Sequence, residues 1–366
     1  MAARANNTIS NMKIGLMAFS TNTGLGYQTI EFAQNIDVEK VLIVDLSELN
    51  HVETHHERFD TLADQKKICK GIPTNKDCEW LVDGMDVVFC CETPLNFYLF
   101  EYARKRGVKT VMQYNYEFLN FFNRPDLAKP DVFAAPSKWG FDVVGSKDWG
   151  ELIHWPVPVD IQKFEYRPMQ ETKTFVHIIG RPAIHDRNGT KSFLEAAKQL
   201  DGYNYRVYLQ RPTEWRTMDH FKETEDALLA AKKTLGDRLE IVEDVQDNRE
   251  MYSVGEILVL PRRYGGLCLP MWEALASGMP VIMPNISPNN TILPERWLCE
   301  SSVKGTFKAA TDIAIYDAKV QDLMATMTSV AESVAGESMI ARAIAHDMSW
   351  EAQRPLYMKR FELICS

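Results

Sequence analysis

Glu273 is the residue whose surroundings most narrowly define a chemical task. It lies in PRRYGGLCLPMWEALASGMP, residues 261–280, one turn into a helix that Pro270 opens and Ser277-Gly278 closes. An apolar strand, residues 256–260, and the pair Gly265-Gly266 run ahead of that helix. A strand, a glycine turn and a helix N-terminus together present free backbone N–H groups and the positive end of a helix dipole, which is a seat for phosphate. On this reading Gly265, Gly266, Leu267, Cys268 and Leu269 cradle an anion, and Glu273 accepts hydrogen bonds from ribose hydroxyls beside it. A purely structural strand–loop–helix turn is the alternative.

Two further glycine-bearing loops have the same form. Gly180-Arg181 and Asp186-Arg187-Asn188-Gly189 fall between a strand and a helix. Arginine suits phosphate because its planar fork can donate two parallel hydrogen bonds; exposed loop charge is the alternative. Gly24, Gly26 and Tyr27 follow the first strand in TGLGY, where glycine permits close backbone approach to a ligand or simply a tight turn. The third glycine of a dinucleotide-binding fingerprint is missing. Asp45 ends the second strand, where an acidic residue can bind a ribose, but a nicotinamide-dependent enzyme ranks low. His51, His55 and His56 sit in a polar stretch without a second ligand group at useful spacing, so no metal site is expected.

These loops need a scaffold of alternating strands and helices. Short apolar strands are expected at residues 13–19, 40–45, 86–90, 108–112 and 131–134, with helices at 27–35 and 95–106 between them. Two prolines in three residues at 156–158 favour an extended linker. The alternation then restarts with strands at 174–179, 205–209, 239–242, 256–260 and 281–283, and the chain is expected to become mostly helical afterwards. Strands of this kind, separated by helices, imply parallel sheets covered on both faces. The expected division is residues 1–157, residues 158–345, and a segment 346–366 returning to the first domain.

The 366 residues, 45% hydrophobic and 25% charged, suit two ordinary globular domains. No apolar run approaches the ~20 residues that span a bilayer, and the first residues lack the apolar core of a secretion signal. Seven cysteines at scattered spacings form no disulfide framework. A cytoplasmic, reducing location is the expectation. The net charge of −9 argues against tight nonspecific nucleic-acid binding; Lys66, Lys67, Lys70 and residues 104–106 are candidates for a local basic groove or for ordinary solvated surface.

The string around Glu273, with its glycine loop, Leu269-Pro270, Glu273-Ala-Leu-Ala-Ser-Gly and Pro280-Val-Ile, resembles the donor-site motif of retaining GT-B glycosyltransferases. The linker Pro156-Val-Pro-Val-Asp160 with Phe164, and Met348-Ser-Trp-Glu-Ala352, resemble that family's domain junction and last helix. Together they run the length of the chain, which is identified as similar to glycosyltransferase family 4. The resemblance implies an α/β GT-B fold, two doubly wound Rossmann-like domains facing across a cleft. It implies a UDP-sugar donor, no required metal or other cofactor, and front-face displacement in which the leaving phosphate takes the acceptor proton. Arg181 and Arg187 would hold the diphosphate, Arg187 standing where lysine is usual. Glu273 would hold the ribose, and Gly24, Gly26 and Tyr27 would lie beside donor phosphate and acceptor.

Two departures accompany the resemblance. Many members carry a histidine in the loop that is here Gln113-Tyr-Asn-Tyr-Glu117, leaving Asn115 or Glu117 for its polar contacts. Gly265 stands where a glutamate usually touches the transferred sugar, which implies an unusual sugar, a hexose or a pentose with fewer hydroxyls to hold. TNTGLGYQT, GRPAIHDRNGT and PRRYGGLCLPM resemble a phage and environmental subgroup, some of whose relatives glycosylate hydroxymethylated DNA bases. The expected acceptor is therefore a hydroxymethylated pyrimidine in phage DNA, with a soluble sugar or polyol, a protein, or an envelope glycan as alternatives. A UDP-sugar epimerase and an inactive nucleotide-sugar-binding protein are the rival classes.

Overall fold

The computed structural model describes residues 12–50, 53–180, 185–211, 218–309 and 311–366. Its first half contains β1 (Ile14–Ala18), α1 (Gly24–Asn35), β2 (Val38–Asp45), α2 (Ser47–Asn50), β3 (Ala63–Lys70), α3 (Asn75–Val82) and β4 (Val87–Cys90). There follow α4 (Tyr98–Arg106), β5 (Lys109–Gln113), β6 (Val132–Ala135), α5 (Phe141–Gly145) and β7 (Glu151–His154). All seven strands are parallel in the order β3-β2-β1-β4-β5-β6-β7. β1 and β4 are buried along their whole length because helices cover both faces, which is why they read as unbroken apolar runs.

The second half repeats the plan with β8 (Thr174–Gly180), α6 (Thr190–Gln199), β9 (Asn204–Leu209), α7 (Met218–Leu235), β10 (Leu239–Glu243), β11 (Ile257–Val259), α8 (Leu269–Ala276), β12 (Val281–Pro284) and β13 (Leu298–Cys299). Its sheet runs β10-β9-β8-β11-β12-β13. Strand order reverses at β1/β4 in one sheet and at β8/β11 in the other. Such reversals open a crevice at the carboxyl ends of the strands, where doubly wound proteins bind ligands.

Four elements correct the sequence expectation. β3, AlaAspGlnLysLysIleCysLys, is an edge strand mostly open to solvent, so its lysines hide its strand character. β7 adds a further edge strand beside β6, extending the sheet past the expected last strand at 131–134. α3 begins on a capping box formed by Thr74 and Asp77, in a region that had no assignment. After β12 the chain is not mostly helical at once: β14 (Ser301–Lys308) and β15 (Asp312–Ala318) form an antiparallel hairpin before α9 (Val320–Glu332), α10 (Val334–Asp347) and α11 (Trp350–Cys365).

α11 lies against the first sheet's domain. Its Trp350, Tyr357 and Phe361 are buried with Phe32, Phe89 and Trp155, the Trp155 and Phe361 rings standing 5.0 Å apart. The two segments that cross between domains touch: Val159 N donates to Met348 O at 3.0 Å, and Trp350 N to Val159 O at 3.3 Å. Among the described residues no helix is long and apolar enough to cross a membrane.

Candidate functional site

Glu273 projects, partly buried, from the first turns of α8. Its Oε1 accepts from Asn248 Nδ2 at 2.8 Å and its Oε2 from Tyr252 OH at 2.5 Å. Burial pushes its carboxyl up to about 7, opposed by the Tyr252 hydrogen bond and reinforced by the charge of Glu31 on α1. A carboxylate has about four lone-pair sites, so two remain for ligand hydroxyls. Tyr252 is itself buried, and Arg167 Nη2 holds its carbonyl at 2.8 Å. Asn248 and Tyr252 were not singled out from the sequence; they lie in the short helical stretch before β11, with no local signal tying them to Glu273.

The loop between β11 and α8 is built around two arginines. Arg262, only 6% exposed, donates from Nε to Tyr264 O and from Nη1 to Leu267 O, both at 3.1 Å, bracing residues 264–267. Gly265 has φ +120, and a Cβ there would lie 2.6 Å from Arg262 Nη2 and 2.7 Å from Arg187 Nη2. Only glycine fits, and the space its side chain would fill belongs to two guanidinium groups. Arg187 comes from the loop between β8 and α6, and its guanidinium stacks 5.4 Å from the Tyr264 ring. Its Nε is buried with no partner among the described residues. Burial, then the like charge of Arg262, pull its pKa down to about 10, with Glu117 opposing. One buried guanidinium, Arg262, and one partly buried one, Arg187, with a single carboxylate near them, are poised for an anion.

The neighbouring residues have structural work. Asp186 accepts from Thr190 N at 2.9 Å and Lys191 N at 3.0 Å, so it caps α6 and leaves Arg187, rather than the helix end, to meet a ligand. Arg181, expected beside Arg187, lies outside the described residues. Arg263 turns the other way and holds the hairpin, donating from Nε to Asp317 Oδ1 at 2.7 Å. No side chain caps α8, whose N-cap is Cys268 and whose first turn contains Pro270, so the N-terminus facing Leu269 is open.

The first domain closes over this loop. A Cβ on Gly24 would stand 3.5 Å from Leu269 Cδ1, and one on Gly266 would stand 2.9 Å from Trp139 Cε3. Gly24 thus lies opposite the α8 N-terminus, and Gly266 is a packing contact with the facing domain. Gly26 serves the fold: a Cβ there would meet Thr21 O at 1.9 Å. Tyr27 packs its ring 5.9 Å from the Arg58 guanidinium. Glu117 crosses the gap, its Oε1 3.8 Å from Arg187 Nη2. Asn115, two residues earlier, is the N-cap of the short helical stretch that carries Glu117. Tyr116 and Trp139 pack with Tyr264, Phe307, Ile313 and Ile315 of the loop and hairpin.

Other sequence candidates fall away from the cleft or are occupied. Asp45 accepts from Ser47 N at 2.9 Å and stands 3.2 Å from His56 Nε2, which removes it as a free ribose ligand. His55 pairs with Asn22 at 2.9 Å, and His51 lies outside the described residues. Among the described residues no group of three His, Cys, Asp or Glu side chains is arranged to hold a metal. The basic candidates do not form a groove: Lys66 pairs with Asp60, Lys67 with Asp77 at 2.7 Å, Lys105 with Glu101 at 2.6 Å and Arg106 with Asp83 at 3.3 Å.

Residues 173–324 match the family described as Glycosyl transferases group 1. That segment is a glycosyltransferase domain. With it the chain is an enzyme of the transferase class, and its two sheets are the GT-B fold. Sucrose-phosphate synthase from Thermosynechococcus elongatus superposes with a TM-score of 0.67 at 13% identity, covering 96% of this chain and 99% of the other. Anabaena HepE, solved in complex with UDP and glucose, gives 0.67 at 11% identity over 96% and 100%. A glycosyltransferase from Rickettsia africae gives 0.70 at 12% over 96% and 98%. No protein of curated function matches the sequence. The glycosyltransferase domain contributes Glu273, Arg187, Arg262 and the open end of α8; the facing domain brings Gly24 and Glu117 up to them.

Proposed function

We propose that the protein transfers a hexose or pentose from a UDP-sugar to an acceptor hydroxyl with retention of anomeric configuration. The observation that carries this reading is the convergence of Arg187 and Arg262 at Gly265, one loop away from the partly buried carboxylate of Glu273. Glu273 would receive the ribose hydroxyls, and the guanidiniums with the open end of α8 would receive the diphosphate. HepE, solved in complex with UDP and glucose, supports a uridine donor by likeness of fold.

In the reaction the bond from the sugar's anomeric carbon to the phosphate oxygen breaks, the bond to the acceptor oxygen forms, and the acceptor proton passes to the leaving phosphate. Charge builds on that phosphate as the bond lengthens. Preorganised donors aimed at it lower the barrier, and each such donor is worth ~10²–10³ in rate. Arg187 fits the role because its buried Nε has no other partner. Closure of Gly24 and Trp139 over the loop keeps water from competing for the sugar. Arg181 would join the diphosphate, as the family resemblance implies. The test is UDP release from a panel of UDP-hexoses and UDP-pentoses, with NMR of the product's anomeric centre. Release with an inverted product rejects retention, and no release from any donor rejects the transferase reading.

A UDP-sugar epimerase is a second reading because Glu117 reaches across the gap to within 3.8 Å of Arg187 Nη2, where a carboxylate could serve in proton transfer. An epimerase would return a new UDP-sugar carrying solvent deuterium without net UDP release.

A further inference from the structure

The buried run of β8, Phe175-Val-His-Ile-Ile179, has one polar residue in it. His177 is fully buried, and a polar side chain in such a place is costly unless its hydrogen bonds are made. Both are made: Nδ1 stands 2.7 Å from Val259 O, and Nε2 stands 3.0 Å from Thr190 Oγ1. A carbonyl can only accept, so Nδ1 carries the proton and Nε2 accepts from the Thr190 hydroxyl. Burial keeps the imidazole neutral, its pKa pulled down to about 4 with the Val259 carbonyl opposing. The ring is stacked on Phe193 of α6, centroids 4.6 Å apart.

The two partners are the ends of the elements that launch the arginine loops. Val259 is the last residue of β11, three residues before Arg262; Thr190 is the first residue of α6, three residues after Arg187. Between these points the loops run in contact. Arg263 N donates to Arg187 O at 2.8 Å, and a Cβ on Gly189, at φ +71, would lie 2.0 Å from Pro261 O. With no slack between the two backbones, a displacement of α6 against β11 reaches the guanidiniums that meet at Gly265. The strand itself needs no imidazole, since apolar side chains fill the rest of this run.

We infer that His177, acting through Thr190, is a positioning residue for the diphosphate: it fixes the spacing of the Arg187 and Arg262 loops so that both guanidiniums meet one ligand. This rests on the transferase reading above. The imidazole touches neither the ligand nor the reacting atoms. Thr190 N is already bound to Asp186 Oδ1 at 2.9 Å, so the hydroxyl is the group that carries the link. The ribose seat does not depend on it, because Asn248 and Tyr252 hold Glu273 from the other side of β11 in the chain. Loosening the link should therefore harm the diphosphate and spare the nucleoside.

The experiment uses the full chain and a UDP-sugar shown to release UDP. Titration calorimetry gives the UDP affinity, displacement titration the uridine affinity, and steady-state assays kcat. Thr190→Val keeps the side-chain shape and removes the hydroxyl. It should weaken UDP and lower kcat by about ten-fold or more, with uridine affinity held within about two-fold, since small misplacements of a positioning group cost up to ~10² in rate. Thr190→Ser, which keeps the hydroxyl, should return both toward the parent. His177→Phe should show the same selective loss, and adding Thr190→Val to it should cost nothing further, because the two residues act as one link. Equal losses for UDP and uridine would make the pair a support of the whole domain and overturn the inference. UDP affinity and kcat unmoved by Thr190→Val would overturn it too. In either case UDP release by the parent leaves the transferase reading standing; no release by the parent from any donor overturns both.

Discussion

Glu273 and Arg187 are both partly buried charges in the glycosyltransferase domain, yet their surroundings differ in kind. Glu273 is wrapped by neutral donors, Asn248 and Tyr252, and its charge is softened by a carboxyl lifted to about 7. Arg187 faces a second guanidinium, has an unpartnered Nε, and meets a single carboxylate at 3.8 Å from the other domain. The first environment is finished without a ligand and offers spare lone pairs to hydroxyls. The second is left in charge excess, and only an anion relieves it. One cleft therefore holds a seat for a neutral group and a seat for a charged one, and the two should fail differently when altered.

The largest effect is expected at Arg187. Arg187→Met should lower kcat for UDP release by ~10²–10³ while leaving Tm unchanged or higher, because it removes a partly buried charge whose Nε has no partner. An unaltered kcat would break the comparison outright. Glu273→Ala should cost about 10–100-fold in donor affinity, from two hydrogen bonds worth about 0.5–1.5 kcal/mol each, and it should also lower Tm because Tyr252 OH and Asn248 lose their acceptor. Titration calorimetry with UDP, read beside a melting curve, checks both halves. Gly265→Ala should reduce kcat by about ten-fold, since the new Cβ, 2.6 Å from Arg262 Nη2 at φ +120, must push the guanidiniums apart. Steady-state rates at saturating donor report it.

The smallest effect is a pH slope. A carboxyl raised from its ordinary value to about 7 binds its proton more tightly in the folded state. Its contribution to stability is full below pH ~4.5 and is lost as pH rises through about 7. Glu273→Gln removes that loss, so its Tm relative to the parent should climb by a few degrees between pH 5 and pH 8, on the order of 3 kcal/mol at most. A flat difference across that range would mean that the Glu273 pocket is wetter than its geometry indicates.

The two halves of the site were unequally legible in the sequence. Buried parallel strands such as β1 and β11 announce themselves as apolar runs, and the loop around Glu273 carries turn, proline and helix signals in one short string. Arg262 was not legible beside Arg263: both precede the glycines, and only the alternation of an extended segment separates a side chain aimed at the cleft from one aimed at the hairpin. β3 was hidden by its own charge, since an edge strand open to water has no apolar run to read. The hairpin β14–β15 escaped because it belongs to neither sheet and packs instead on Tyr264, Tyr116 and Trp139.

The paired crossing of Val159 with Met348 and Trp350 has a consequence for timing. The first domain is interrupted: its sheet is finished at β7, but the face made by Phe32, Phe89 and Trp155 stays bare until the whole glycosyltransferase domain has been synthesised and α11 follows. On a ribosome the nascent first half must wait, apolar side outward, for a helix encoded beyond another domain. The entry and exit points of the inserted domain are already side by side, so when α11 arrives it has only to fold back along a path that Val159 has marked.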